Sequence, residues 1–214
     1  MKIKVSYFFD ALCGWCYGFS PAFMEMFEEH KNDIEFEAFC GGMVINDRIG
    51  PIGKVAAYIK DAYKVVEEKS GEYFGEDFLN NILEPGTAVF TSIPSAQAMA
   101  VVKSEHPELS VPYAAELLKG VYLHGYEPLD HSKYGEMAAS VGAKIEDFES
   151  KMKSEVMLGR AYEDFKTSHA FGVKGFPTLI ATMDEKHYVL SNGFIPYPEL
   201  KQRFQTLYAY SKEK

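Results

Sequence analysis

The sequence predicts an α/β fold in which a sheet domain is interrupted by a block of helices. Three observations predict it. Residues 3–9 and 34–40 alternate in side-chain character on either side of a segment with helical period. Residues 51–171 read as helices separated by breakers. Residues 178–191 return to strand texture before a final helix, so the order is β-α-β, helices, β-β-α.

The first strand, "IKVSYFF", places Ile3, Val5, Tyr7 and Phe9 on one face. Phe23, Met26, Phe27 and His30 then recur at helical steps, with Glu25, Glu28 and Glu29 facing away. Ser20 and Pro21 suit an N-cap and first-turn pair, or Pro21 lies inside a helix already begun at the cysteines. "IEFEAFC" at 34–40 is the second strand, joined to the first by a right-handed crossover. The breakers that follow are Gly71, Pro85-Gly86, Pro94, Pro107, Pro112, Gly125 and Gly142. They divide the block into about five to seven helices. "TAVF" at 87–90 is the one doubtful strand within it. Residues 178–183, "TLIATM", and 187–191, "HYVLS", flank "DEK" as a hairpin; Asn192-Gly193 turns the chain, and Pro198 opens the last helix. The expected division is therefore a discontinuous sheet domain, 1–48 with 173–214, and an inserted helical domain, 49–172.

Composition narrows the function. The chain has 214 residues, 47% hydrophobic and 25% charged, the balance of an ordinary globular protein. A net charge of −9 with no block of lysine and arginine argues against nucleic-acid partners. No apolar run approaches the roughly 20 residues that cross a bilayer, so no membrane association is expected. A leader of at least ~15 residues would remove the first strand and the motif that follows it, which predicts a cytoplasmic protein. Three cysteines in so long a chain do not form a disulfide framework.

That motif is "DALCGWCYGFSP", residues 10–21, in which Gly14 and Trp15 separate Cys13 from Cys16. Thiol–disulfide exchange needs a thiolate, an accessible attacking sulfur and a second thiol near enough to resolve the mixed disulfide. A CxxC at a helix start supplies all three, because free N–H groups and the helix dipole stabilise negative charge on the first sulfur. A zinc site would need four ligands. Only Cys40 and six histidines without ligand spacing remain, so no metal is expected. Cys40 shares a strand face with Ile34, Phe36 and Ala38 and reads as a core thiol. Gly41-Gly42 suits either a plain turn or an anion-binding nest.

Taken with "GVKGFPT" at 172–178, these features resemble the DsbA-like branch of the thioredoxin superfamily, and within it the FrnE-type, protein-disulfide isomerase-like group. The resemblance covers nearly the whole chain. It includes Asp10 before the first cysteine, Trp15 within the motif, Pro21 eight residues after Cys13, and "LHGYEPLDHSKYGEMAASVG" at 123–142. It implies a thioredoxin-like fold with a large helical insertion, Cys13 and Cys16 as the redox pair, and support from Gly14, Trp15 and Asp10. It also implies a cis Pro177 against the CxxC, presenting no N–H, with Phe176 offering its backbone to an extended substrate.

Two departures qualify that pattern. Many superfamily members carry a buried carboxylate six residues before the first cysteine as a proton relay, and here that position is Tyr7. Asp10 is the nearest acid and reads either as its substitute or as a turn residue. The Gly14-Trp15 pair has no histidine, which implies a less oxidising couple, nearer a reductase or isomerase. The expected activity is thus a dithiol–disulfide oxidoreductase acting on protein or small-molecule disulfides. It needs no bound cofactor beyond the Cys13–Cys16 pair, and glutathione or another thiol system exchanges its electrons. A kappa-type glutathione transferase on the same fold and a chaperone-like holdase are the alternatives.

Overall fold

The structure is a computed structural model and describes residues 3–212. Strands β1 (Lys4–Phe9), β2 (Glu35–Cys40), β5 (Thr178–Met183) and β6 (Lys186–Asn192) form one sheet in the order β2-β1-β5-β6. β1 runs parallel to β2 with Phe9 opposite Cys40, and antiparallel to β5 with Tyr7 opposite Leu179. The parallel pair is bridged by helix α1 (Gly14–His30), and helix α8 (Tyr197–Lys212) closes the chain. Sequence segments more than a hundred residues apart thus meet at β1, the strand that leads into the CxxC.

Between β2 and β5 lie α2 (Ala56–Ser70), α3 (Ile93–Glu105), α4 (Ser110–Tyr122), α5 (Ser132–Ser140), α6 (Phe148–Met152) and α7 (Glu155–Ala170). A π-helical stretch, Phe78–Leu83, sits between α2 and α3. The doubtful "TAVF" stretch holds a short strand after all. β4 (Val89–Phe90) pairs with β3 (Gly50–Pro51), with Gly50 opposite Phe90 and Pro51 opposite Val89, a register that needs both halves of a distant contact and so left little local pattern.

Both faces of β1 are covered, as its almost unbroken burial requires. Val5, Tyr7 and Phe9 join the main core with Phe19, Phe23 and Phe36; Phe8 enters a second cluster with Phe39 and Ile180. Each such ring contributes roughly 1.5–3 kcal/mol by leaving water. α1 packs on this core without interruption at Pro21, so the helix begins at the cysteines and Ser20 does not cap it. Cys13 is the N-cap.

The outer edge of β2 is closed by the helices. Lys103 of α3 places its ammonium 2.8 Å from Glu37 of β2 and 2.9 Å from Asp164 of α7, and 4.1 Å over the Phe39 ring. Asp164 also accepts the backbone N–H of Cys40 at 3.2 Å. Ser110 accepts that of Ala38 at 3.3 Å. These bonds satisfy strand groups that would otherwise be open to pairing with another chain.

On its other side α1 meets α2 closely at Gly18. A Cβ there would lie 2.6 Å from Cγ1 of Val66, itself 2% exposed and stiff at χ1. Gly18→Ala should therefore lose about 1–2 kcal/mol in urea unfolding, because overpacking outweighs the roughly 1 kcal/mol gain in helix propensity.

Candidate active site

The chain leaves β1 at Asp10 and turns into α1 over three residues. The N–H of Cys13 donates to the Asp10 carbonyl at 3.0 Å, and the N–H groups of Cys16 and Tyr17 donate to the Cys13 carbonyl at 3.0 and 3.1 Å. The Cys16 N–H also meets Cys13 Sγ at 3.3 Å. The sulfur of Cys13 therefore occupies the place a serine or aspartate oxygen takes at a capped helix, where negative charge is met by backbone donors. On its other side Cys13 Sγ lies 3.5 Å from the carbonyl oxygen of Phe176, to which the thiol donates. The Phe176–Pro177 peptide is cis.

The two sulfurs differ in setting. Cys13 is 7% exposed and lines a cavity of about 520 Å³, whereas Cys16 has no exposed surface and lies one turn inward. Burial, reinforced by the hydrogen bond and charge of Cys13, pushes the Cys16 thiol well above the usual range. All three cysteines are free thiols; Cys40 is buried, and burial together with the Asp164 charge pushes it up as well. The cavity is walled by α2 and its approach, including Ile52, Val55 and Tyr58, and by Phe74, Phe90 and Tyr122. Arg48 and Lys54 stand at its edge. Trp15 borders it and stacks obliquely on Phe194 at 5.9 Å. Gly14 faces the Phe74 ring, which a Cβ there would meet at 3.4 Å, an ordinary contact distance.

Asp10 is 1% exposed and has both carboxylate oxygens engaged. Oδ1 accepts the N–H of Leu12 and the hydroxyl of Ser92, both at 3.0 Å, and Oδ2 accepts the N–H of Met43 at 2.7 Å. The Leu12 bond closes a turn of the kind read for Asp10, while the N–H of Gly41 donates to the Phe9 carbonyl at 2.7 Å. Burial pushes the carboxyl up, against the pull of Met43, Leu12 and Ser92.

Gly41 carries a role for which no local pattern could be a signal. A Cβ at this position would fall 1.9 Å from the Phe176 ring, so the ring lies directly on the glycine. Ser92, Tyr122 and the cavity wall were likewise absent from the residues singled out in the sequence. Their only signal is proximity in the fold.

No family model matches the chain, and comparison with curated proteins gives no match either. Solved structures do match over nearly its whole length. A candidate protein disulfide isomerase from Nitrosomonas europaea is 21% identical, with a TM-score of 0.82 over 98% of this chain and 99% of that one. The cytosolic disulfide reductase DsbM from Pseudomonas aeruginosa is 23% identical, with a TM-score of 0.80 over 97% and 98%; a further structure of that reductase is with GSH. The oxidoreductase NmDsbA1 from Neisseria meningitidis is more distant, 12% identical with a TM-score of 0.58 over 99% and 84%. The fold is thus the thioredoxin-like fold of DsbA-type proteins, with helices inserted between its second and third sheet strands.

Two substitutions probe this geometry. Gly41→Ala should push Phe176 off its seat and slow reaction of Cys13 with a small disulfide reagent several-fold, while costing about 1–3 kcal/mol of stability. Asp10 gives a pH signature. Its folded carboxyl titrates above an unfolded value of about 3.9, so the stability it confers is complete below that value and declines as pH rises through the folded one. The stability difference between wild type and Asp10→Asn, from urea titrations, should therefore shrink as pH rises above about 4.

Proposed function

We propose that this protein is a thiol–disulfide oxidoreductase of the reductase or isomerase kind, with Cys13 as attacking and Cys16 as resolving thiol. One observation carries the reading. Cys13 Sγ caps α1, faces the Phe176 carbonyl at 3.5 Å and opens on a cavity, with its partner thiol one turn behind.

In this reading the Cys13 thiolate attacks a substrate disulfide, forming a mixed disulfide and expelling one substrate thiolate. Negative charge on Cys13 before attack, or when it leaves again, is met by the Cys16 N–H. The Cys16 thiolate then attacks Cys13 Sγ and expels the second substrate thiol, so two electrons pass to the substrate and a Cys13–Cys16 disulfide remains. Glutathione or another thiol system restores the dithiol. That the similar reductase DsbM has a structure with GSH supports a small thiol as the electron partner. Protein or small-molecule disulfides are the substrates, with an extended segment lying along Phe176 and Pro177.

Residues 1–48 and 173–214 act as the redox unit and residues 49–172 as an inserted helical domain that walls the cavity. The grouping of all four strands of the larger sheet in the outer pieces supports this division. Among the described residues no helix is long and apolar enough to cross a membrane. A cytoplasmic setting fits the reductase direction, and DsbM is itself cytosolic.

Insulin reduction with a thiol donor tests the assignment. Cys13→Ser should abolish turnover, and Cys16→Ser should accumulate a covalent substrate adduct visible by mass spectrometry. Turnover at the wild-type rate in Cys13→Ser would overturn it.

A further inference from the structure

The resolving thiol is buried, uncharged by preference, and still has to become a nucleophile. Something must favour its anion. In the redox reading, on which the present inference rests, that task falls after Cys13 has been consumed in the mixed disulfide, so Cys13 itself cannot help. The Asp10 carboxylate cannot supply it either, because its two oxygens are held by Leu12, Met43 and Ser92; from Asp10 only the backbone N–H favours the Cys16 anion, against the charge of the carboxylate itself.

Tyr7 is placed to do so. Its ring packs against Phe23 at 4.5 Å and Phe19 at 6.2 Å, and stacks with Phe9 at 5.3 Å. Cys16, Phe19 and Phe23 lie on one face of α1, at i, i+3 and i+7. The ring of Tyr7 rests on the inner two, and the sulfur of Cys16 is the next group along that face. The Tyr7 hydroxyl is fully buried without a conventional hydrogen-bond partner, and the polar group it meets is Cys16. A buried hydroxyl without a partner costs on the order of 1–3 kcal/mol, so its retention calls for an explanation.

We infer that Tyr7 is a positioning residue for the resolving step, donating its O–H to the sulfur of Cys16 as that sulfur becomes a thiolate. The hydroxyl keeps its proton throughout: burial and the neighbouring cysteine sulfurs push it well above the ordinary phenol range, so it is a donor and never a base. The proton leaving Cys16 ends on the departing substrate thiolate. The Cys13–Cys16 bond forms as the bond between Cys13 and the substrate sulfur breaks. A phenol here replaces proton transfer with hydrogen bonding. The remaining ionisable groups that face Cys16 are Cys13 and Asp10 from the loop, and Tyr122 from α4.

Reaction of the reduced full-length protein with 5,5′-dithiobis(2-nitrobenzoate) separates the two steps. The first equivalent of thionitrobenzoate reports attack by Cys13, and the second reports resolution by Cys16. Tyr7→Phe should slow the second phase roughly tenfold or more near neutral pH, and move its rise to higher pH by about one unit. The first phase serves as the internal reference. A second phase unchanged in rate and pH profile would overturn the inference, and so would equal slowing of both phases, which marks a merely structural role. If Tyr7→Phe does not fold, uniform replacement of tyrosine by 3-fluorotyrosine, a stronger donor, should speed the second phase; no change there overturns it. Release of both equivalents by Cys13→Ser would instead overturn the redox reading and this inference with it.

Discussion

The buried carboxylate of Asp10 ties together three parts of the chain, two of which, the loop beyond β2 and the head of α3, are also joined by the bonds between Val44 and Ser92. It takes the N–H of Leu12 within the turn into α1, that of Met43 just beyond β2, and the hydroxyl of Ser92 at the head of α3. Taking a carboxylate out of water is costly, and three donors are what make it tolerable. The arrangement fixes where the turn after β1 begins. Cys13 then falls at the N-cap of α1, and the loop after β2 is held close enough for Gly41 to bear the Phe176 ring. The sulfur and the cis-proline loop are thus brought together by the Asp10 bonds on one side and by the seat of Phe176 on Gly41 on the other.

Much of this was legible in the sequence, for physical reasons that can be named. The strands β1, β2 and β5 carry alternating or continuous apolar runs, and burial on both faces leaves such patterns in the residues themselves. The CxxC between a strand and an amphipathic helix announced its own chemistry, and "GFPT" gave its partner loop. Legibility failed where a feature depends on distant neighbours. Ser20 and Pro21 suited either a helix start or a helix already begun at the cysteines, and what decides for the second is Cys13 at the N-cap together with the packing of Phe19 and Phe23. β3 and β4 are two residues each and exist only as a pair. The meaning of Gly41 lies in a ring 135 positions away, and that of Ser92 in a carboxylate 82 positions before it.

The inserted helices perform two separate services for the sheet. Through Lys103, Asp164 and Ser110 they occupy the free edge of β2. A buried ion pair of this kind adds little net stability, but its directionality favours one docking of α3 and α7 on the strand over others. Through the approach to α2 they also build the apolar wall opposite Cys13. The same insertion that seals one side of the redox unit shapes what reaches the other.

The unequal burial of the two sulfurs has a consequence for the sequence of events. With 7% of Cys13 at the surface and none of Cys16, any visiting molecule must address them in a fixed order, outer before inner. The protein needs no difference in intrinsic reactivity to keep that order. Architecture alone works as a turnstile, admitting exchange one sulfur at a time and keeping the inner one from stray chemistry until its neighbour has been engaged.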